Sequence, residues 1–260
     1  MSYEFNFKLL EGKVALIHGA SSGVGKASAL AHARAGAKVM CVARDKERLE
    51  KVVEEIKAAG GEAAYTTAEI SDEKQIEEMV KKTVEVFGRI DVVHITTGFH
   101  SDPFPVQEFP ADLLQKSMDL NFIGQAYIVK HIAKQMIKQG DGGSIVMTSA
   151  GAGIVGWPGS TGYTGGKAAL NVLAQTAAID LIKENIRVNT ICPGGIRTPM
   201  MEHFKETFPD VAAKVLGASR MAEPEEQANA AVLLNSPLAS AINGVNLRTD
   251  CGYLAGAWLV

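Results

Sequence analysis

Tyr163 and Lys167 stand four residues apart in Gly162-Tyr163-Thr164-Gly165-Gly166-Lys167. On a helix that spacing puts both side chains on one face. A phenol held beside an ammonium is a proton-transfer unit. The fixed positive charge favours phenolate, so a tyrosine with an ordinary pKa of about 10 can exchange a proton near neutrality. A Tyr-x-x-x-Lys spacing arises by chance in many helices. It gains weight here from Gly19-Ala20-Ser21-Ser22-Gly23-Val24-Gly25 near the start of the chain. Small residues there let backbone approach a pyrophosphate, and a helix N-terminus offers free N–H groups and a positive dipole. The glycine spacing is Gly-x-x-x-Gly-x-Gly rather than Gly-x-Gly-x-x-Gly.

These residues need elements to hold them. Apolar runs of strand length alternate with helical stretches. Strands are expected at Lys13–His18, Lys38–Val42, Glu62–Thr67, Asp91–Ile95, Ser144–Thr148, Arg187–Ile191 and Val245–Thr249. Helices are expected at Val24–Ala35, Lys46–Ala58 behind an Asp45 cap, Asp72–Phe87 behind a Ser71 cap, Ala111–Asn121, Gly124–Gln139, Gly162–Glu184 and Pro224–Asn235. Residues 193–222 read as irregular with one helical patch. Short, continuously apolar strands between helices predict an α/β fold: a single doubly wound Rossmann domain over residues 1–260, a parallel sheet of about seven strands with helices on both faces. Residues 195–222 would form a lid inserted in it.

Composition narrows the partners. A net charge of −3 over 260 residues gives no basic footprint for nucleic acid or anionic lipid. No apolar run reaches membrane-spanning length, and Met1 to Glu11 lacks the regions of a signal peptide. Cys41, Cys192 and Cys251 are an odd set without metal-ligand spacing, as expected of core thiols in a reducing cytoplasm. No Ser/His/Asp elbow and no His-Glu-x-x-His helix is present, so hydrolase and metalloenzyme readings are poor and no metal is expected.

A dinucleotide site needs a ribose reader about twenty residues beyond the loop. The second strand ends Val42-Ala43-Arg44-Asp45. No carboxylate stands at Ala43 to take a 2′-hydroxyl, and Arg44 can pair with a 2′-phosphate. NADP(H) is therefore expected over NAD(H), with NAD(H) as the alternative.

With these residues the chain resembles the short-chain dehydrogenases/reductases from roughly Leu10 to Gly252. Asn121 in Asn121-Phe122-Ile123-Gly124 falls at that family's catalytic Asn. Cys192-Pro193-Gly194-Gly195-Ile196-Arg197-Thr198 matches its Pro-Gly…Thr segment, and Thr249-Asp250-Cys251-Gly252 its last strand and turn. The resemblance implies hydride transfer between a nicotinamide and a ketone or secondary alcohol. Tyr163 would be the acid/base. Lys167 would hold the nicotinamide ribose and lower the tyrosine pKa, and Asn121 would order a relay water. It further implies cofactor contacts at Gly19, Ser21, Ser22, Gly23, Val24 and Gly25, then at Arg44, Glu69, Ile70, Thr96 and Gly98. Pro193, Gly194, Ile196 and Thr198 would complete them.

Three departures stand out. The family's Ser that bonds the substrate oxygen, thirteen residues before the Tyr, is here Ala150, and Ser149 is the candidate to swing in for it. The family's Asn-Asn-Ala-Gly is Ile95-Thr96-Thr97-Gly98. His18 replaces a Thr, and Glu69 replaces the Asp that meets the adenine. His18, His94 and His100 read as structural, His100 being nearest the expected cleft.

The loops expected around the substrate, Gly98–Phe109, Gly151–Gly162 and Pro199–Ala222, carry Phe99, Phe104, Ile154, Val155, Trp157, Met200, Met201, Phe204 and Phe208. Their bulk predicts a hydrophobic ketone or alcohol, cyclic, steroid-like or polyketide-like. His203, Lys205 and Arg220 are the charges that could meet an anion there. The apolar tail Leu254–Val260 suggests a subunit contact, and the resemblance implies a homotetramer or homodimer. The alternatives are a dehydratase or epimerase on the same fold, or a dinucleotide-binding protein whose catalysis is weakened at Ala150.

Overall fold

The computed structural model describes residues 8–216 and 219–256. The N-terminal residues 1–7 and the tail residues 257–260, to which part of the subunit-contact expectation belongs, lie outside them.

Seven strands form one parallel sheet: β1 (Val14–His18), β2 (Lys38–Ala43), β3 (Ala63–Thr67), β4 (Val92–Ile95), β5 (Gly143–Thr148), β6 (Ile186–Pro193) and β7 (Asn246–Thr249). Their order is β3-β2-β1-β4-β5-β6-β7. The direction of travel reverses between β1 and β4, and in such sheets the crevice at the carboxyl ends beside that reversal takes the ligand. One face is covered by α1 (Gly23–Arg34), α2 (Lys46–Ala58) and α9 (Pro224–Asn235), whose Ala27, Leu49, Ile56, Ala228 and Val232 pack on Ala15, Ile17, Val39 and Cys41. The other is covered by α3 (Glu73–Phe87), α5 (Gly124–Gln139) and α6 (Thr161–Asp180), through Ile76, Ile128, Ile132 and Leu170 against Leu16, Val93 and Ile145. Strands apolar on both sides follow from this double cover.

Asp45 caps α2 by accepting from the Arg48 N–H, and Pro224 opens α9. Three expectations need correction. Asp72, not Ser71, caps α3: its carboxylate accepts from the Lys74 and Gln75 N–H groups. No break separates α4 (Ala111–Met118) from α5, because a π-helical turn over Asp119–Ile123 joins them. The stretch expected to hold one helical patch holds two helices, α7 (Pro199–Thr207) and α8 (Pro209–Leu216), each opening on a proline at its first turn.

Candidate active site

A cleft of about 700 Å³ opens along the carboxyl ends of the strands. At its centre the turn after β1 enters α1. Gly19 (φ +92°) and Gly23 (φ +50°) adopt left-handed backbone. A Cβ on Gly25 would collide with the Gly19 carbonyl, and one on Gly23 would press on Thr198 across the cleft. No side chain caps α1 and no acid stands in its first turn, so its N–H groups face the cleft. This cradle fits a pyrophosphate by its own geometry.

One end of the cleft is lined by Ala43, Arg44, Asp45, Arg48, Ala68, Glu69 and Ile70. Arg44 Nη1 lies 3.5 Å from Glu69 Oε2, so the residue expected to read a 2′-phosphate is paired with a carboxylate. Arg48, which sequence reasoning passed over, is a second guanidinium in the same wall. It is four residues past Arg44 and so comes round on the first turn of α2.

The departures at His18, Thr96 and Thr97 prove to be one substitution. His18 Nδ1 lies 2.7 Å from Thr97 Oγ1, and Thr96 Oγ1 donates to the His18 carbonyl at 2.9 Å. Of the two hydroxyls that follow β4, Thr97's meets the His18 imidazole and Thr96's its backbone carbonyl.

At the other end stand Tyr163, Lys167, Pro193, Gly194, Ile196 and Thr198 with Gly98 and Thr96. Tyr163 and Lys167 share the inner face of α6, and Lys167 Nζ donates to the Thr148 carbonyl at 2.8 Å. Burial pushes the Tyr163 phenol up to about 12 and the Lys167 ammonium down to about 7. The expected lowering of the phenol by the lysine is not what this chain shows. Both groups are desolvated, and desolvation works against the charged form of each. The neighbouring glycines have a packing role. A Cβ on Gly162 would strike Ser117, and one on Gly166 would strike Asn121. The pair, four residues apart, lets α6 lie against α4 and the π turn.

Asn121 sits in that π turn, fully buried, and does not line the cleft. Its Oδ1 accepts from the Phe99 N–H at 2.9 Å. Its Nδ2 donates to the Phe99 carbonyl at 2.7 Å and to Ser117 Oγ at 3.0 Å. Both amide hydrogens are engaged, so the side chain clamps the loop after β4 instead of presenting a donor to a relay water. Ser149 likewise turns away from the substrate. Its hydroxyl donates to the Lys167 carbonyl at 2.9 Å, over Gly153, where any Cβ would collide with that hydroxyl. Ala150 lines the cleft beside it and carries no donor.

The apolar wall is formed by Phe99, Trp157, Met200, Met201 and Phe204. Others expected there stand elsewhere. Ile154 and Val155 point to solvent, Phe104 packs on Phe109, and Phe208 packs on Phe204. The candidate anion contacts do not line the cleft: Lys205 pairs with Glu202, Arg220 with Glu226, and His203 is exposed. Side chains missed by sequence reasoning include Lys116, whose ammonium lies 4.6 Å from the Phe99 ring centroid. Among the described residues no cluster of His, Cys, Asp or Glu could hold a metal ion, all three cysteines are free, and no helix is long and apolar enough to cross a membrane.

A seven-stranded parallel sheet with a glycine cradle at its reversal point, and a buried tyrosine–lysine pair at one end of the crevice, define a doubly wound fold of the dinucleotide-binding kind. A family model described as enoyl-(acyl carrier protein) reductase matches residues 19–254. The chain belongs to the short-chain dehydrogenase/reductase family. It is 37% identical over 245 residues to the 3-oxoacyl-(acyl-carrier-protein) reductase of Thermotoga maritima, covering 94% of this chain and 99% of that one. It is 35% identical over 254 residues to the L-rhamnose 1-dehydrogenase (NAD(P)(+)) of a Sphingomonas species, covering 94% and 97%. A short-chain type dehydrogenase/reductase from Mycobacterium marinum has the same fold, with a TM-score of 0.89, 31% identity and coverage of 95% and 98%.

Proposed function

We propose that the protein is a nicotinamide-dependent oxidoreductase acting on CH–OH groups and their ketones, with NADP(H) preferred and a hydrophobic, cyclic or polyketide-like substrate. The observation that carries this reading is the convergence of Tyr163 and Lys167 with the apolar wall of Phe99, Trp157, Met200, Met201 and Phe204 at one end of the cleft. Relatives along nearly the whole chain are named as a reductase and a dehydrogenase, which supports the reaction class. Arg44 and Arg48, with no carboxylate at Ala43, support NADP(H).

The cradle of Gly19 to Gly25 would hold the pyrophosphate. Lys167, Pro193, Gly194, Ile196 and Thr198 would hold the nicotinamide riboside, with Thr96 and Gly98 beside them, and Glu69 and Ile70 would flank the adenosine side. The cofactor supplies or accepts a hydride at the substrate carbon. The Tyr163 phenol, raised to about 12 by burial, is protonated at neutral pH, and a substrate oxygen gaining negative charge beside it is what would draw its proton. In reduction Tyr163 would give its proton to the carbonyl oxygen. The phenolate left behind is stabilised by the adjacent Lys167 ammonium. Burial of both groups removes the competing water.

The test is the loss of nicotinamide absorbance when the protein meets NADPH and a panel of apolar cyclic and linear ketones, with NADH in parallel. Tyr163→Phe should abolish turnover and leave cofactor binding intact; retained turnover would sink the acid/base role. Silence across the panel with NADPH still bound would favour a dehydratase or epimerase, or a binding role. Ala150 and the averted Ser149 supply the observation behind that second reading.

A further inference from the structure

A ketone placed for protonation by Tyr163 develops negative charge on its oxygen, and a single phenol leaves that oxygen short of one donor. The polar groups around Tyr163 are mostly committed. Ser149 Oγ gives its hydrogen to the Lys167 carbonyl, and Ala150 has none to give. Thr148 lines the cleft, but its Oγ1 is engaged with His94 Nε2 at 2.9 Å. Lys167 Nζ is held on the Thr148 carbonyl. Trp157 Nε1 is buried without a hydrogen-bond partner, but its ring centroid stands 6.4 Å from that of Tyr163, farther than His100, and the ring packs edge-on against Tyr253.

His100 is different. It lines the cleft, and its ring stands edge-on to Tyr163 with centroids 4.8 Å apart. Its other neighbour is Phe204 of α7 at 5.1 Å, so the imidazole bridges the acid and the apolar wall. Two features fix it. Asn121 clamps both backbone polar groups of Phe99, the residue before it. Ser160, the residue that opens α6 three positions before Tyr163, places Oγ 3.1 Å from His100 Nε2. Burial keeps the ring neutral at pH 7, so it carries one N–H. With Nε2 turned to Ser160, Nδ1 is the nitrogen left for a ligand. It carries the N–H when the Ser160 hydroxyl donates to Nε2 rather than to the Pro158 carbonyl 3.4 Å away, and the Ser101 backbone is its competitor.

We propose that His100, oriented by Ser160, donates the second hydrogen bond to the substrate carbonyl oxygen beside Tyr163, the task for which position 150 has no hydroxyl. This deepens the oxidoreductase reading and rests on it. No bond is made or broken at His100. It holds the oxygen while the proton comes from Tyr163 and the hydride from the nicotinamide.

His100→Phe keeps a ring against Tyr163 and Phe204 and removes both nitrogens. Turnover is measured with the ketone that the wild-type protein reduces fastest, and NADPH affinity by nicotinamide fluorescence. The expected result is a kcat lower by about 10²–10³, as for removal of one oxyanion donor, with NADPH affinity unchanged. Adding Ala150→Ser to His100→Phe should recover at least tenfold, because the added hydroxyl lies in the same wall. His100→Gln, which retains an N–H, should fall less than His100→Phe. Wild-type turnover in His100→Phe, or a loss that Ala150→Ser does not recover in a variant of unchanged melting temperature, would overturn the role and leave the oxidoreductase reading standing. A wild-type protein that reduces no ketone would overturn both.

Discussion

The Arg44 guanidinium lies 3.5 Å from Glu69, and a 2′-phosphate would compete with that carboxylate for it. The Arg44 side chain is 75% exposed, and a pair of that kind is worth about 0–1 kcal/mol. A guanidinium–phosphate fork is stronger than that, so the phosphate should win, at the cost of displacing Glu69. Removing the competitor should therefore help NADPH relative to NADH, since both share the adenosine that Glu69 flanks and only NADPH carries the 2′-phosphate. Glu69→Gln is expected to lower KM for NADPH by up to about fivefold, the equivalent of 1 kcal/mol. Arg44→Asp should raise KM for NADPH tenfold or more and leave NADH nearly unchanged. Steady-state KM values for both cofactors check this, and equal shifts would make Arg44 a surface residue. At this scale the sequence was legible where spacing along one helix decides the geometry, as at Tyr163 and Lys167. It was not where the outcome depends on an atom's direction. Nothing local to Ser149 says that its hydroxyl turns under α6, because the gap that admits it is left by Gly153 and its acceptor is on Lys167. Arg44's pairing with Glu69, which follows the adjacent strand β3, was hidden for the same reason.

Between the elements runs a chain of buried polar side chains that no strand or helix pattern announces. Thr148 of β5 meets His94 of β4, and His94 Nδ1 lies 2.7 Å from Ser28 Oγ of α1. His32, one turn on, donates from Nδ1 to the Ser28 carbonyl at 2.8 Å, and its Nε2 lies 3.0 Å from Asn235 Nδ2 of α9. All five side chains are buried. The chain stitches the sheet to the face on which α1 and α9 pack, and burial keeps its imidazoles uncharged. It pushes His32 and His18 down to about 4 and His94 well below its usual value. Unfolded, each would titrate at about 6.5. The unfolded chain thus takes up protons that the folded one refuses, so the stability they contribute is complete above about pH 6.5 and falls as pH drops towards 4. His18 and His32 should each account for about 3 kcal/mol of loss by pH 4. The melting temperature is expected to fall by more than about 10 °C between pH 7 and pH 4.5. His32→Gln and His94→Gln should flatten that dependence even if they lower stability at pH 7. A slope in both variants as steep as in the wild type would refute the assignment. Element types were readable from periodicity, since strands buried on both faces are apolar throughout. The π turn was not, because Asn121-Phe122-Ile123-Gly124 looks like a helix end until α6, through Gly162 and Gly166, is seen packed against it.

At the scale of the whole molecule, α6 has two faces of opposite use. Its inner face carries Tyr163, Lys167, Leu170 and Ala174 into the cleft and core. Its outer face exposes Val172 by 60% and Ile179 by 72%, seven residues apart and hence on one stripe, with Ile182 just beyond at 63%. On the neighbouring α5, Ile137 is 44% exposed. Single exposed apolar residues are ordinary, but an aligned set along a helix that also carries the acid/base pair marks a surface meant to be covered. A second copy of the chain is the natural cover, because a two-fold axis would lay the stripe against itself. The sequence reading pointed to the terminal tail for a subunit contact; the stripe on α6 is a second surface on which a homo-oligomer would form. Sedimentation should show a dimer or larger assembly, and Val172→Glu with Ile179→Glu should shift it toward monomer. Those substitutions sit on the outside of α6, so the same change should reach the cleft only through loosened packing of the helix. KM for ketone should then rise while the Tyr163-dependent reaction persists. A wild-type monomer, or an assembly indifferent to both charges, would leave the stripe as plain surface and return the question to the tail.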